Sequence, residues 1–285
     1  MIRAARPGDA PALRAFLAGR ERAAMFPLSA LHGGGLMPPE TPLDGPGEMH
    51  GWLVEEAGRI EGFLGLSGGG HLMPFWPGAA WRDLRPHLAG RRVATVIVPD
   101  GQAGDPLAAL GLADAPIRHR DEEPGFVLDL RDLRMPDVTG FSLAPLDRHL
   151  PLVRRWRGAY LGEIFGVTGA EAEQRAADDV ARWVAADSHR LLMRGDDPVA
   201  LSGFNARIPG VVQIGGVWTP PEARGQGLAR RMVALHLDQA RGQGVTRAVL
   251  FAANDAAAAA YRAIGFVREG SMGIVELAQP VTVTP

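Results

Sequence analysis

What most limits the folds open to this chain is a pattern that occurs twice, in the same order, along its 285 residues. The first copy starts with the apolar run Trp52-Leu53-Val54-Glu55-Glu56, a turn at Ala57-Gly58-Arg59 and a second apolar run over 60–66. The second copy starts with Arg190-Leu191-Leu192-Met193-Arg194, the turn Gly195-Asp196-Asp197-Pro198 and a run over 199–204. Each reads as a β-hairpin: strand, turn-former cluster, strand. Further on, the β-branched run 93–98 leads through Asp100 to an Ala/Leu-rich helix ending Leu110-Gly111-Leu112. The run 248–251 leads through Asn254 to an Ala-rich helix ending Ile264-Gly265-Phe266. Counting back from the two glycines, Asp100 matches Asn254 and Leu107 matches Tyr261. A third echo, at a different spacing, closes each half: Gly125-Phe126-Val127-Leu128-Asp129-Leu130 and Gly273-Ile274-Val275-Glu276-Leu277. Repeated supersecondary units of this kind specify two α/β (α+β) units of similar design. They meet near Met135-Pro136-Asp137, which divides the chain into 1–135 and 136–285.

Composition removes several functions. Formal net charge is −2, so neither nucleic acid nor an anionic membrane has an electrostatic footprint here. No apolar run is long enough to span a bilayer, and Met1-Ile2-Arg3-Ala4-Ala5-Arg6-Pro7 does not lead into an apolar signal core. The expectation is a cytoplasmic protein, monomer or homodimer, with no nucleic-acid or membrane partner. The absence of cysteine removes disulfides, thiolate nucleophiles and thiolate metal sites. Every basic residue other than histidine is Arg. Without Lys there is no Walker-type phosphate loop, no kinase strand lysine and no Schiff-base enzyme. The eight His show no His-x-His or His-Glu-x-x-His spacing, and no metal is expected.

The second half carries the chemistry. A strand is expected over 140–146, then a helix with Leu150, Val153, Trp156, Arg157, Tyr160, Leu161 and Ile164 near one face, stopped by Gly166. A charged amphipathic helix follows over 170–185. The strand 211–218 is interrupted by Gly215-Gly216, which predicts a bulge or a close backbone approach. Beyond Thr219-Pro220-Pro221-Glu222 comes Arg224-Gly225-Gln226-Gly227-Leu228-Ala229, between that strand and a helix whose stripe is Ala229, Met232, Val233, His236 and Ala240. Two glycines let successive N–H groups point one way. The first N–H groups of the helix are unpaired and its dipole adds positive potential, so the loop is suited to a pyrophosphate.

Here the chain resembles the GNAT acyltransferase superfamily, whose loop signature Q/R-x-x-G-x-G/A is matched by Arg224, Gly227 and Ala229. The resemblance covers residues 140–277 well, and the first half only as a shadow. It implies two GNAT-like units, each a mixed, mostly antiparallel twisted sheet flanked by helices, with splayed strands in the C-terminal unit. It implies acetyl-CoA, or another short acyl-CoA, as co-substrate, gripped by Val217, Trp218, Thr219, Arg224, Gly225, Gln226, Gly227, Leu228, Ala229 and Asn254. The reaction implied is direct attack of a small-molecule or peptide amine on the thioester. Tyr261 would protonate the leaving thiolate; a phenol of pKa about 10 holds its proton at neutral pH. Backbone N–H groups near Val217 would polarise the carbonyl, and Glu163 is the candidate base for the amine.

The first half lacks this equipment. Pro77-Gly78-Ala79-Ala80-Trp81 stands in the place of the loop, and Leu107 in the place of Tyr261, so no coenzyme A site is expected there. Three rival readings fit the sequence less well. Gly65-Leu66-Ser67-Gly68-Gly69 fits G-x-S-x-G, but Gly70-His71-Leu72-Met73-Pro74 does not start the helix that a nucleophile elbow needs. Gly225-x-Gly227-x-x-Arg230 fails the third small position of a dinucleotide fingerprint. A non-catalytic acyl-CoA sensor or scaffold would not need Asn254 and Tyr261 together.

Overall fold

A computed structural model describes the chain apart from residues 46, 77–80, 82 and 100–104. It divides into two compact units, Met1–Glu123 with Gly270–Pro285, and Pro124–Glu269. The match of Asp100 to Asn254, and most of the segment standing in the place of the loop, fall outside the described residues. No described helix is long and apolar enough to cross a membrane.

The first unit contains β1 (Ile2–Ala4), α1 (Ala10–Leu17), α2 (Glu21–His32), β2 (Met49–Glu56), β3 (Arg59–Ser67), β4 (His71–Phe75), α3 (Arg85–Leu88), β5 (Arg92–Pro99), α4 (Pro106–Ala109) and the start of β6 (Ile117–Asp129). β1 to β4 form an antiparallel ladder. β4 then pairs in parallel with β5, at His71↔Thr95 and Leu72↔Val96. Its core holds Trp52, Leu64, Leu72, Leu88, Val96 and Leu107. Ser67 ends β3 and turns the chain straight into β4: its carbonyl accepts from Gly70 N–H and its Oγ from His71 N–H. A strand–turn–strand is no nucleophile elbow.

The second unit contains the end of β6, then β7 (Phe141–Ala144), α5 (Leu150–Phe165), α6 (Gly169–Ala185), β8 (His189–Arg194), β9 (Asp197–Ile208), β10 (Val211–Trp218), α7 (Leu228–Gly242), β11 (Arg247–Phe251), α8 (Asp255–Ala263) and the start of β12 (Val267–Thr282). β7 to β10 are antiparallel, β10 and β11 are parallel, and β11 pairs antiparallel with β6. Strand alternation sorts the core into two layers. Leu191, Met193 and Leu201 pack with Val153 and Trp156 of α5 and Val180 of α6. Phe204, Val212 and Ile214 pack with Val233 and Leu237 of α7 and with Ala258 and Tyr261 of α8. Gly166 stops α5 in the left-handed region at φ +66°, where a side chain would be strained.

The repeat is visible bond by bond. The Gly70 carbonyl accepts from Ala94 and Thr95 N–H, as the Gly210 carbonyl accepts from Thr246 and Arg247 N–H. Leu112 N–H donates to Leu107 O, as Phe266 N–H donates to Tyr261 O, so Leu107 and Tyr261 occupy matching places. The helices before them differ: α4 has four residues capped by Asp105, and α8 has nine capped by Asn254.

The closing strands do not stay with their own halves. Gly125 to Asp129 of β6 pair with β11 in the second unit, and Met272 to Glu276 of β12 pair with β5 in the first. The division at 135/136 expected from the sequence therefore does not coincide with the compact units. The physical reason is strand length. β6 has 13 residues and β12 has 16, against a usual length of about 5–6, and each continues from one unit into the other.

Two buried imidazoles lie on opposite faces of the second sheet. His236, beside Ser202 and stacked on Phe204 at 4.0 Å, is pushed down to about 3 by burial and by Arg190 and Arg207. His189 is held well below the ordinary range by burial, His236, Arg157 and Arg190. Both are neutral in the folded protein, whereas an unfolded imidazole takes a proton near 6.5. Stability from these groups is therefore complete above pH 6.5 and lost as pH falls, for His236 down toward 3, at roughly 1.4 kcal/mol per pH unit for each imidazole. Urea unfolding between pH 7 and 5 is expected to lose up to roughly 1.4 kcal/mol per pH unit less in His236→Gln than in the unsubstituted chain, because the shifts of His189, His32, His50 and Glu123 are common to both proteins. The same pH dependence in the two proteins would contradict a buried neutral His236.

Candidate active site

The site starts where two strands part. β10 pairs with β11 through Val211↔Arg247, Val212↔Ala248 and Gln213↔Val249 and no further. From Ile214 onward β10 has no β11 partner, so backbone groups along that edge are left for something else. On its other edge the register with β9 breaks between Gly215 and Trp218. This is the bulge expected from Gly215-Gly216, with Gly216 at φ +62°. The bulge changes the parity of the strand. Ile214 and Val217 pack on the α7–α8 side, and Trp218 returns to the α5–α6 side. The backbone of 215–217 is half-exposed.

Thr219 ends β10, and residues 224–227 form the turn into α7. Gly225 and Gly227 both have positive φ, +78° and +69°, and Gly227 is the residue that caps the helix. A Cβ on Gly227 would lie 2.9 Å from Arg230 Nε and 3.1 Å from Arg231 Nη1. Four guanidinium groups surround the turn. Arg194 Nη2 donates to Gln226 Oε1 at 2.9 Å, and Arg231 Nη1 to Gln226 O at 2.7 Å. Arg224 Nε donates to Thr219 O at 3.1 Å while its guanidinium lies 5.0 Å from the Trp218 ring centre. Arg230 folds back against the turn. The loop signature pointed to Arg224 alone; Arg194 comes from β8 and could not be placed beside the loop without the sheet register.

Among the described residues of this unit, four buried side-chain atoms have no hydrogen-bond partner: His189 Nε2, Trp218 Nε1, Thr219 Oγ1 and Arg230 Nε. Trp218, Thr219 and Arg230 all belong to or touch the turn. An unpaired buried donor costs about 1–3 kcal/mol, and Arg230 Nε, at an arginine-ringed helix start, fits an anionic ligand that would pair it. Leu228 and Ala229 open α7, where helix N–H groups have no intrahelical partner.

Asn254 and Tyr261 are both next to the parting strands, but not in equivalent roles. Asn254 stands just before α8 as its cap, with Oδ1 accepting from Ala257 N–H at 2.9 Å. Its amide Nδ2 remains available to donate. Tyr261 is only 6% exposed and lies in the same cluster as Ile214 and Val217 of β10, Leu250 of β11 and Ala252 just beyond it, with Phe266 6.0 Å away. The ring therefore sits beneath the strands where they separate.

Glu163, near the end of α5, is ion-paired. Its Oε2 accepts from Arg224 Nη2 at 2.8 Å, and both side chains are 43% exposed. The two residues reach one another across 61 positions of sequence, so the carboxylate expected at the acceptor is at the turn into α7. Among the described residues no group of three His, Asp or Glu is placed to hold a metal ion.

Sequence profiles and solved structures agree with this geometry. The profile of the Acetyltransferase (GNAT) family matches residues 152–266. An acetyltransferase of Agrobacterium fabrum is 32% identical over 126 residues, 41% of this chain and 90% of that protein. A tandem GNAT protein from the clavulanic acid biosynthesis pathway has the same fold at TM-score 0.54 and 17% identity, over 100% of this chain and 99% of that one. A Drosophila protein superposes at TM-score 0.60 and 14% identity, over 97% and 98% of the two chains. The structural likenesses speak for the fold, with its two units. The parted strands, the turn with its two positive-φ glycines and the sequence relationship together place this chain in the GNAT acetyltransferase family.

Proposed function

We propose that the Pro124–Glu269 unit moves an acetyl group, or another short acyl group, from acetyl-CoA to the amine of a small molecule or peptide. The observation that carries this reading is the meeting of two unfilled features. An unpaired β10 edge at 214–217 adjoins a turn ringed by four arginines, one of them with an orphaned buried Nε. A pyrophosphate at the turn would leave its thioester arm at that edge.

The proposed roles follow from position. Gly225, Gln226, Gly227, Leu228 and Ala229 offer backbone N–H groups to the pyrophosphate, and Arg224 adds charge. Val217, Trp218 and Thr219 line the arm, and the Val217 N–H group polarises the thioester carbonyl. Asn254 donates to the arm from Nδ2. The amine nitrogen bonds to the carbonyl carbon, the carbon–sulfur bond breaks, and the Tyr261 hydroxyl gives its proton to the thiolate. The nitrogen's surplus proton leaves through water to Glu163. Arg224 would exchange Glu163 for the pyrophosphate, so the carboxylate becomes a free base when the donor is in place.

The first half is proposed to bind no coenzyme A and to serve the fold. Its matching position to Tyr261 is Leu107, and no Gly-x-Gly is found in residues 71–99 of the sequence.

Thiol release from acetyl-CoA with a mixed amine panel tests the activity. Tyr261→Phe is expected to slow it about tenfold or more while acetyl-CoA binding is kept; unchanged turnover would remove Tyr261 from its role. Tight acetyl-CoA binding with no release to any amine would favour a sensor instead. Glu163→Gln removes the competitor for Arg224. An exposed pair is worth about 0.2–1 kcal/mol, so acetyl-CoA is expected to bind roughly 1.4–5-fold tighter by calorimetry while turnover falls. Weaker binding would contradict the exchange.

A further inference from the structure

The turn into α7 gathers more positive charge than a pyrophosphate uses. Arg194, Arg224, Arg230 and Arg231 all reach it. Arg224 is paired with the Glu163 carboxylate at 2.8 Å. Among the described residues, the ion pairs of this unit include neither Arg194, Arg230 nor Arg231. Asp137 lies near Arg231, but its Oδ1 accepts from Thr139 N–H at 3.0 Å. That carboxyl is held below its usual range first by Thr139 and only last by Arg231. A pyrophosphate diester has a single negative charge on each phosphorus. Arg224 and the helix start suffice to hold it.

The remaining guanidiniums are fixed in place. Arg194, at the end of β8, donates from Nη2 to Gln226 Oε1 at 2.9 Å and lies 5.3 Å from the Phe141 ring centre. Arg231, in the first turn of α7, donates from Nη1 to Gln226 O and from Nε to Asp137 O, each at 2.7 Å. Its guanidinium lies 5.2 Å from the same Phe141 ring. β7, β8 and α7 thus bring two like charges to one ring. Like charges repel, and holding an exposed arginine still costs rotamer freedom. An anion between them offsets both. Among the described residues, Arg194 spends a single donor and Arg231 two, so most of each guanidinium is left for a ligand.

Sheet order says which part of a ligand arrives there. The strands run β11, β10, β9, β8. The parted edge is on the β11 side of β10, and Arg194 is on β8, on the other side. A pyrophosphate at the turn that sends its thioester arm to 214–217 has its other end toward Arg194 and Arg231. In coenzyme A that end is an adenosine with a phosphate monoester on the ribose 3′ oxygen, which carries about −1.5 to −2 charges at neutral pH.

We propose that Arg194 and Arg231 seat the 3′-phosphate of acyl-CoA, and that the chain selects this donor over the same thioester lacking that phosphate. The proposal rests on acyl-CoA as the donor. Arginine suits the task, because its planar fork donates twice to a phosphate while its face stays on an aromatic ring. Gln226 is a positioning residue: its side-chain carbonyl aims Arg194 and its backbone carbonyl aims Arg231. Phe141, Arg194 and Arg231 all lie outside the loop signature, so the turn can hold a pyrophosphate without them.

The test is calorimetry of the full chain with acetyl-CoA and with 3′-dephospho-acetyl-CoA. Acetyl-CoA is expected to bind about tenfold tighter or more. Arg194→Gln and Arg231→Gln are each expected to bring that ratio below about threefold by weakening acetyl-CoA, with the dephospho ligand bound within about twofold of its original affinity. The ratio is also expected to fall from about pH 7.5 to about 5.5, across the second ionisation of a phosphate monoester near 6, and to stay flat in Arg194→Gln. Arg231→Gln carries the test if Arg194→Gln does not fold. Equal binding of the two thioesters, or a ratio unchanged in both variants, overturns the seat and leaves acyl-CoA as the donor. Equal weakening of both ligands in the variants means that the arginines only shape the turn, which also overturns the seat. Binding of neither thioester overturns the donor and the seat together.

Discussion

The site depends on a parallel pairing that stops early. β10 and β11 share three register positions and then part, although both strands continue. A sheet normally closes such an edge with hydrogen bonds, because buried backbone groups cannot be left alone. Here the helices that follow the two strands start on opposite sides of the gap. α7 brings its turn and its arginines, and α8 brings Asn254 and Tyr261. The glycine bulge then rotates the end of β10, so that Val217 faces one helical layer and Trp218 the other. One interrupted ladder thus places the turn into α7 and the start of α8 beside a single stretch of unpaired backbone.

Local signals in the sequence were readable wherever the physics is local. Gly215-Gly216 inside a β-rich run announced the bulge, and Gly225 with Gly227 announced a turn that only positive φ can make. The matching of Leu107 to Tyr261 followed from spacing to a helix-ending glycine, and the hydrogen bonds repeat it. What could not be read lies in register and in long-range contact. Glu163 and Arg224 are far apart in sequence and touch only because α5 runs past the end of β10. His189 looks like any strand residue until Gly203 and Gly215 come into register with it. The third echo of the repeat reads as two similar strands, but alternating apolar residues say nothing about which sheet a strand joins.

The absence of lysine takes on structural meaning around the site. A guanidinium can donate in its plane while its face lies on an aromatic ring, which an ammonium cannot do. Arg224 bonds Glu163 and Thr219 and lies against Trp218. Arg157 bonds Asp179 and lies between Tyr160 and Trp183. Arg194 and Arg231 both rest on Phe141 while holding Gln226. Each cation is therefore fixed in two directions at once, and the positive charge around the turn is already in place before a ligand arrives.

The crossing of β6 and β12 limits how this protein could ever be divided. Cut between its two sequence halves, the second would lose the strand that covers β11, whose Ala248, Val249 and Leu250 are fully buried. The first would lose the strand that covers β5, with Val93 and Val96 behind it. Each fragment would expose a flat apolar edge, ready to pair with its own copies. Each half therefore completes its sheet only with a strand supplied by the other half of the sequence, which makes the two halves one folding unit.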